Sequence, residues 1–569
     1  MILVLFNWLF ILCTLSMLGL VIAVLLGRKL IETPATLTID QAVMVGLVAL
    51  TTLCNIISLW SPMNIQVNIV ISALIVIGLF IYRKEAFFII KQWQHEYRQQ
   101  HLLSKMAFLL IIFIAIIKTT GPSLVDDEGG YHLPLIRWIE HFPVVPGIAN
   151  IEDRMGFNPS IYMTNAYFSM GWLFPGGLYD VNSFLFIVFG YAFISGFNRF
   201  VKNDFQYLLS GLVQVGALVF LFRAYLTTMD ADFIYLYGSI YLLIIFIQKI
   251  EMDTFAKPDF AAFVFMSLFT FIITNKFIIG LLAPLPLWLL FLWLKKNRFA
   301  FSGRIIFTCL VILIPWMLRN YYLSGYLVYP LFFIDPFSAD WKVPRTLAMG
   351  QYYYVLEYAK MEITQPFNEY FNHNYTWKVW FPVWLERVWG LVVGKVIILL
   401  TPLSTLLILY HCLSIPKEGR QRSYVILLLF LLMATLVWLL RAPAIRFAWG
   451  WLLPMYVISL GLLLQKWLLK RQVLFKTALI TLLFTSLIRS GIASVIEFPD
   501  IMKHWLYPTP VEIGNMHTTI SWNKNELKIS EDNFCRGIQP PCLPRYYHPA
   551  LRLRGKKITD GFKIITSNE

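Results

Sequence analysis

The sequence predicts an all-α polytopic membrane protein, a bundle of roughly fourteen transmembrane helices, and three observations predict it. Of its 569 residues 58% are hydrophobic, and the mean hydropathy of +0.66 is far more apolar than that of a soluble domain. Apolar runs long enough to cross about 30 Å of hydrocarbon begin near residues 2, 41, 66, 106, 183, 205, 233, 259, 277, 305, 388, 423, 447 and 473. Every second connection between them is basic, the pattern of cytoplasmic loops.

The first run, "MILVLFNWLFILCTLSMLGLVIAVLLGRK", lacks a basic leader and a small-residue cleavage site, so it reads as a retained helix rather than a signal peptide. Arg28 and Lys29 follow it, and Arg83, Lys84, Lys91, Arg98 and Lys105 follow the third run. Arg199/Lys202, Lys249/Lys257, Lys295/Lys296/Arg298/Arg304, Lys417/Arg420/Arg422 and Lys466/Lys470/Arg471 continue the alternation. One assignment satisfies them all: these loops are cytoplasmic and both termini are outside. The net charge of +15 is thereby spent on orientation and anionic lipid, not on nucleic acid. Three parts follow: accessory helices and a basic cytoplasmic loop (1–105), a core (106–490) with outer loops at 121–182 and 319–387, and a small outer-face tail (491–569).

Four cysteines, Cys13, Cys54, Cys309 and Cys412, lie in or at the ends of apolar runs and read as packing residues. Cys535 and Cys542 bracket the polar "CRGIQPPC" of the tail, where a disulfide would need an oxidising compartment. No second pair with ligand spacing accompanies them, which weakens a zinc reading. With strand-like stretches such as "LRLRGKKITDGFKIIT", the tail reads as an outer-face cap stapled by that pair.

Polar residues that could carry chemistry gather on the expected outer side. Asp126, Asp127 and Glu128 open the first outer loop in "VDDEGGYHLP". A carboxylate there can act as a general base, bind a cation, or cap the following short helix. That helix carries Leu133, Ile136, Ile139 and Phe142 at helical spacing and is expected to lie along the interface. Asp230 and Asp232 stand at the mouth of a later span, where they either line a cleft with Asp127 or divide the work, Asp230 capping and Asp232 pointing inward. Arg319, Arg441 and Arg446 lie where few basic residues are expected, and a guanidinium fork suits phosphate, although interfacial arginines also snorkel to headgroups. Glu152 and Asp153 read as surface charges, leaving Arg154 and Asn158 as candidates from that loop. His132 lacks companions for a metal and reads as a hydrogen-bonding residue. Tyr352, Tyr353, Tyr375 and Trp377 are candidates to stack on a sugar face or to anchor at the interface. No Walker loop, HExxH, GxSxG or dinucleotide fingerprint is present.

The order of these features resembles the GT-C superfamily of integral-membrane glycosyltransferases. An acid four residues before Tyr131 opens "YHLP", as in bacterial relatives of protein O-mannosyltransferases and the lipid A aminoarabinose transferase. "VPGIANIEDRMGFNPS", "TTMDADFIYLY", "PWMLRNYYLSGYLVYP" with Asn320 beside Arg319, and the tail "CLPRYYHPALRLRGKKITDGFKI" are similar to stretches of uncharacterised bacterial members. The resemblance implies a GT-C-like bundle in a bacterial inner membrane, with outer-face transfer of a sugar from a polyprenyl-phosphate or -diphosphate donor. It further implies Asp127 as base, with Asp126 and Glu128 as neighbouring alternatives, and an arginine as phosphate partner. The acceptor is a glycan, a lipid or a protein, and the other partners are membrane lipids. The expected mechanism holds the donor phosphate with Arg319 and Arg446, Arg441 in reserve, and needs no cofactor; a divalent cation enters only for a diphosphate donor. An oligosaccharyltransferase or ligase, a lipid-linked sugar flippase or transporter, and a silent scaffold remain as alternatives. One-sided polarity and the lack of an internal repeat argue against a carrier.

Overall fold

Long apolar runs with few glycines or internal prolines satisfy their own backbone hydrogen bonds only as helices in lipid, and helices dominate the chain up to Glu497. The computed structural model describes residues 1–29, 37–122, 127–174, 176–220, 224–361, 376–414, 419–499 and 501–565. Five helices, α1 (Ile2–Lys29), α2 (Ile39–Ile57), α3 (Ile65–Ile81), α4 (Arg83–Arg98) and α5 (Leu102–Thr120), precede the first long excursion. That excursion holds α6 (Leu133–His141) and α7 (Ile161–Phe168). Next come α8 (Val181–Val201), α9 (Leu208–Val219), α10 (Asp232–Glu251), α11 (Phe260–Ile273), α12 (Pro284–Lys295) and α13 (Phe299–Ser324). A second excursion carries α14 (Arg345–Met361) and α15 (Trp377–Trp389); α16 (Val392–Ser414), α17 (Gly419–Arg441), α18 (Trp449–Lys470) and α19 (Gln472–Glu497) complete the bundle.

Among the described residues ten helices are long and apolar enough to cross a membrane, or eleven if α3 and α4, joined through a 93° bend, form one span. The runs expected near 205, 259 and 277 are the shorter α9, α11 and α12, of 12, 14 and 12 residues. These fall below the ~17–25 residues of a full crossing, so length supports ten or eleven of the roughly fourteen expected spans. Helix α10 is the axis, with 94% of its apolar window buried against α8, α9, α11, α17 and α18. By contrast, α16 and α19 keep only 22% and 28% of theirs buried and form the rim. Gly19 and Gly46 let α1 and α2 cross backbone to backbone: a Cβ on either would lie 1.8 or 1.9 Å from a carbonyl oxygen of the other helix.

The two ends of the bundle differ. At one, basic side chains satisfy helix ends and loops: Lys105 donates to the Arg98 carbonyl at 3.1 Å, Lys202 to that of Gln99 at 2.6 Å, and Lys249 pairs with Asp259 at 2.6 Å. At the other, both excursions and the C-terminal segment pack together. Strands β1 (Met516–Trp522) and β2 (Asn525–Ser530) pair antiparallel, and β3 (Cys542–Leu543) runs parallel to β2. A second ladder joins β4 (Leu551–Leu553) to β5 (Phe562–Ile564). Cys535 and Cys542 are disulfide-bonded. The segment is tied down by Phe562 N–H donating to the Pro146 carbonyl at 2.9 Å and by a two-pronged Arg554–Asp340 ion pair at 2.8 and 2.9 Å.

Packing on α7 changes the place of α6. Expected along the interface, it is instead buried from Leu133 through Ile139, with Trp138 meeting the Phe562 ring of β5 edge-on at 6.1 Å. Its apolar stripe reads the same for a lipid surface and for a protein core; α7 takes most of it, and the β5 ring that meets Trp138 lies more than 400 residues away in sequence.

Candidate active site

Adjacent acids are sent in opposite directions by one irregular turn. Residues Glu128–His132 form a single π-helical turn through the Gly129–Gly130 pair, running directly into α6. Asp127 begins this turn without capping it; its Oδ1 accepts from Arg154 Nη1 at 3.2 Å, and its side chain is 42% exposed. Glu128, one step on, is buried, accepting from Met229 N–H at 2.5 Å and from His132 Nδ1–H at 3.1 Å. Burial pushes the Glu128 carboxyl up. Burial pulls His132 down, but the Glu128 hydrogen bond and charge, with Asp230 and Asp127, more than offset it, so the imidazole holds its proton above the ordinary histidine value. Glu128 and His132 thus brace the turn, and Asp127 is the more open of the two described acids. Asp126 lies outside the described residues.

Arg154 fixes the Asp127 carboxylate. Its Nε donates to Glu152 at 2.7 Å, and its guanidinium lies 4.9 Å from the Tyr131 ring centre and 5.3 Å from that of Phe534 in the cap. The cap also donates Arg536 N–H to the Gly129 carbonyl at 3.2 Å. The C-terminal segment therefore takes part in shaping the turn.

A second acid sits across the cleft at the start of α10. Asp232 is buried and in contact with Lys276, with Arg446 Nη1 3.5 Å from its other oxygen. Asp230 turns back to accept from Asp232 N–H at 2.9 Å, its own carbonyl held by Asn182 at 2.9 Å. Asp230 is thus held on the backbone, while Asp232 joins Asp127 in lining one cleft. Lys276 and Arg446 flank the Phe447 ring at 4.6 and 5.4 Å.

These groups share a cleft of about 620 Å³. Asp127, Tyr131 and Arg154 form one wall, and Asp232, Arg446 and Phe447 another. One face of α14 (Gln351, Tyr354, Val355, Tyr358 and Ala359) and the α15–α16 corner (Arg387, Val388, Leu391, Val392 and Val393) complete it. The corner is tight: a Cβ on Gly394 would lie 1.8 Å from the Val388 carbonyl oxygen. Leu391 and Val392 are 53% and 75% exposed there, an apolar exit beside a cationic interior. A separate cavity of about 780 Å³ lies on the other side of the turn, lined by Glu128, Gly129, Tyr179 and Asp180 and by Pro508–Glu512 and Arg536 of the cap.

Other expected site residues lie elsewhere. Arg319 is buried, donating to Asn158 Oδ1 at 3.1 Å and to Ser58 Oγ at 3.0 Å, and does not line the cleft. Asn158 in turn donates to Asn320 at 3.1 Å, so Asn158, Arg319 and Asn320 form one lock between the loop and α13. Arg441 is exposed at the end of α17, also outside the cleft. Tyr352 and Tyr353 pack on Phe332 and Phe333, Trp377 is 64% exposed, and Tyr375 lies outside the described residues. Helical phase explains the miss: in "QYYYVLEY" the face through 351, 354 and 358 meets the cleft, and the one through 352 and 353 turns away. Lys276 and Arg387 were overlooked. Each is a basic residue beside an apolar run on the expected outer side, the signal that singled out Arg319 and Arg446. Among the described residues no group of three or more His, Cys, Asp or Glu side chains assembles to hold a metal ion.

The family model that matches the chain is described as a domain of unknown function, DUF8201, and covers residues 1–453. No curated protein and no solved structure matches.

Proposed function

We propose that this chain, which belongs to the DUF8201 family, is a membrane glycosyltransferase that moves a sugar from a polyprenyl-phosphate donor to an acceptor. The observation that carries the reading is the composition of one cleft. A half-exposed carboxylate oriented by an arginine faces a pair of further arginines, and the cleft opens past an apolar corner. A lipid-linked sugar phosphate has those same three parts. Its chain leaves past Leu391 and Val392, and its phosphate lies between Arg446 and Arg387, whose planar forks match phosphate oxygens. Its sugar lies toward Asp127. With the basic end of the bundle in the cytoplasm, the cleft opens on the outer face, where no nucleotide donor is at hand.

In this mechanism Asp127 takes the proton of an acceptor hydroxyl as its oxygen bonds to the anomeric carbon. The bond from that carbon to the phosphate oxygen breaks, and the negative charge left on the lipid phosphate is met by Arg446 and Arg387, preset by the fold. Asp232 holds Arg446 and Lys276 in place. The acceptor approaches Asp127 either along the cleft or by way of the cavity behind the turn. The two described acids of the opening cluster diverge, so no step is routed through a metal ion.

The test is transfer from a panel of radiolabelled polyprenyl-linked mono- and diphosphate sugars in proteoliposomes, with envelope lipid and protein extract as acceptor and with or without chelator. Label leaving a monophosphate donor, unaffected by chelator, is the expected result. Transfer from a diphosphate-linked glycan alone would make the protein a ligase. A donor that crosses the bilayer intact would make it a flippase.

A further inference from the structure

We infer that the face of α14 lining the cleft is the sugar-reading surface, with Gln351 as the specificity-determining residue for a hexose bearing two adjacent free hydroxyls. The inference rests on the donor reading above and names the part of the donor that this helix recognises.

Three observations carry it. Gln351, Tyr354, Val355, Tyr358 and Ala359 all line the cleft, at positions i, i+3, i+4, i+7 and i+8, so a single continuous stripe of the helix is presented to it. Gln351 is 3% exposed and lines the cleft, yet its carboxamide makes no hydrogen bond to any described residue. Folded proteins pair their buried amides because leaving one unpaired costs stability. A buried amide kept open toward a cavity is therefore set for a ligand. Finally, one turn further along, the rings of Tyr354 and Tyr358 stack with centres 5.6 Å apart and planes at 25°. They give the same stripe an aromatic surface against which the C–H face of a pyranose can lie.

The chemistry of the amide sets the class of ligand. Its carbonyl accepts and its NH₂ group donates, from atoms held side by side in one plane. Two neighbouring hydroxyls on a pyranose ring, one donating and the other accepting, complete both ends at once. A lipid chain offers neither group. A phosphate offers acceptors only and is better matched by Arg446 and Arg387. The same cleft thus divides into a phosphate end formed by arginines and a hydroxyl end formed by α14.

The experiment measures binding, independent of turnover. Dissociation constants are determined in nanodiscs for undecaprenyl phosphate and for its glucosyl and mannosyl derivatives, with wild type, Gln351→Met and Gln351→Ala. Methionine keeps the length of the side chain without its polar atoms, and alanine provides a second variant should one of them fail to fold. The expected result is that at least one hexosyl lipid binds wild type tenfold or more tighter than the bare lipid phosphate. Either variant should lose most of that increment and leave the bare-lipid constant within twofold. If the bare lipid binds but the sugar adds nothing in wild type, or the increment survives both variants, the inference about Gln351 is overturned while the donor reading stands. If neither bare nor glycosylated lipid binds, both fall.

Discussion

Replacing Asp127 by asparagine separates the chemistry of the cleft from its architecture. The Arg154 hydrogen bond to Asp127 Oδ1, 3.2 Å long, can be kept by an asparagine carbonyl, so the local geometry survives and only the capacity to take a proton is lost. The two side chains are 22% and 42% exposed, so the lost ion pair amounts to about 1 kcal/mol or less. The variant should therefore fold and insert like wild type. A positioned general base contributes roughly 10²- to 10⁴-fold to rate, equivalent to about 3–5.5 kcal/mol of barrier at 1.36 kcal/mol per decade. Asp232→Asn provides the contrast. That side chain is only 2% exposed and sits against both Lys276 and Arg446, 22% and 38% exposed, so removing its charge leaves two partly solvated cations without their acid. Because both cations keep access to water, the loss is about 1–3 kcal/mol rather than the full cost of a buried pair, and this variant should be less stable than Asp127→Asn. The assay pairs initial rates of label transfer in proteoliposomes with size-exclusion profiles of the same preparations. An Asp127→Asn protein that retains more than a tenth of the wild-type rate would refute the base assignment. An Asp232→Asn protein as stable as wild type would refute the account of the buried pair.

Arg446→Gln should lower kcat/KM by about 10²- to 10³-fold, with lysine restoring only part because it lacks the planar fork; a full rescue by lysine would reduce the role to bulk charge. Arg319→Met should leave the rate per folded molecule unchanged while reducing stability by about 1–3 kcal/mol, since Asn158 and Ser58 lose a buried donor. A large loss of turnover in folded Arg319→Met would return it to the phosphate site. Burial lifts the Asp180 carboxyl from 3.8 to about 7. Between those values the folded state keeps a proton that the unfolded chain has released, so stability falls as pH rises through that window. Asp180→Asn can still accept the Asn7 hydrogen bond, 2.7 Å in wild type. It should match wild type in melting temperature near pH 4 and exceed it at pH 8; parallel profiles for the two proteins would remove Asp180 as a source of the dependence.

Much of this architecture is legible in the sequence because lipid imposes simple rules. An apolar run must be helical, and a basic connection orients the runs on either side of it, so class, approximate helix positions and the sidedness expectation follow from local composition. The concentration of Asp127, Tyr131, Arg154, Asp232 and Arg446 toward one end could be anticipated for the same reason. The cysteine pair in the polar tail was legible from its bracketed prolines.

Tertiary structure decided what each of these residues does. Asp127 and Glu128 are neighbours in sequence, and only the π-helical turn sends one to the cleft and the other to His132. Arg319 and Arg446 look alike as arginines at helix ends; packing closes the first inside the Asn158 lock and leaves the second facing the cavity. The stripe of α6 could meet lipid or protein, and packing on α7, with the Phe562 ring against Trp138, settled it. Gln351 carries no signal of its own, because its meaning depends on the phase of α14 against walls built from residues as far back as Asp127 and as far on as Phe447. Composition determines where a segment of a membrane protein can go, since transfer free energy acts residue by residue. Which side chains meet depends on contacts distant in the chain, and those exist only once the helices have packed.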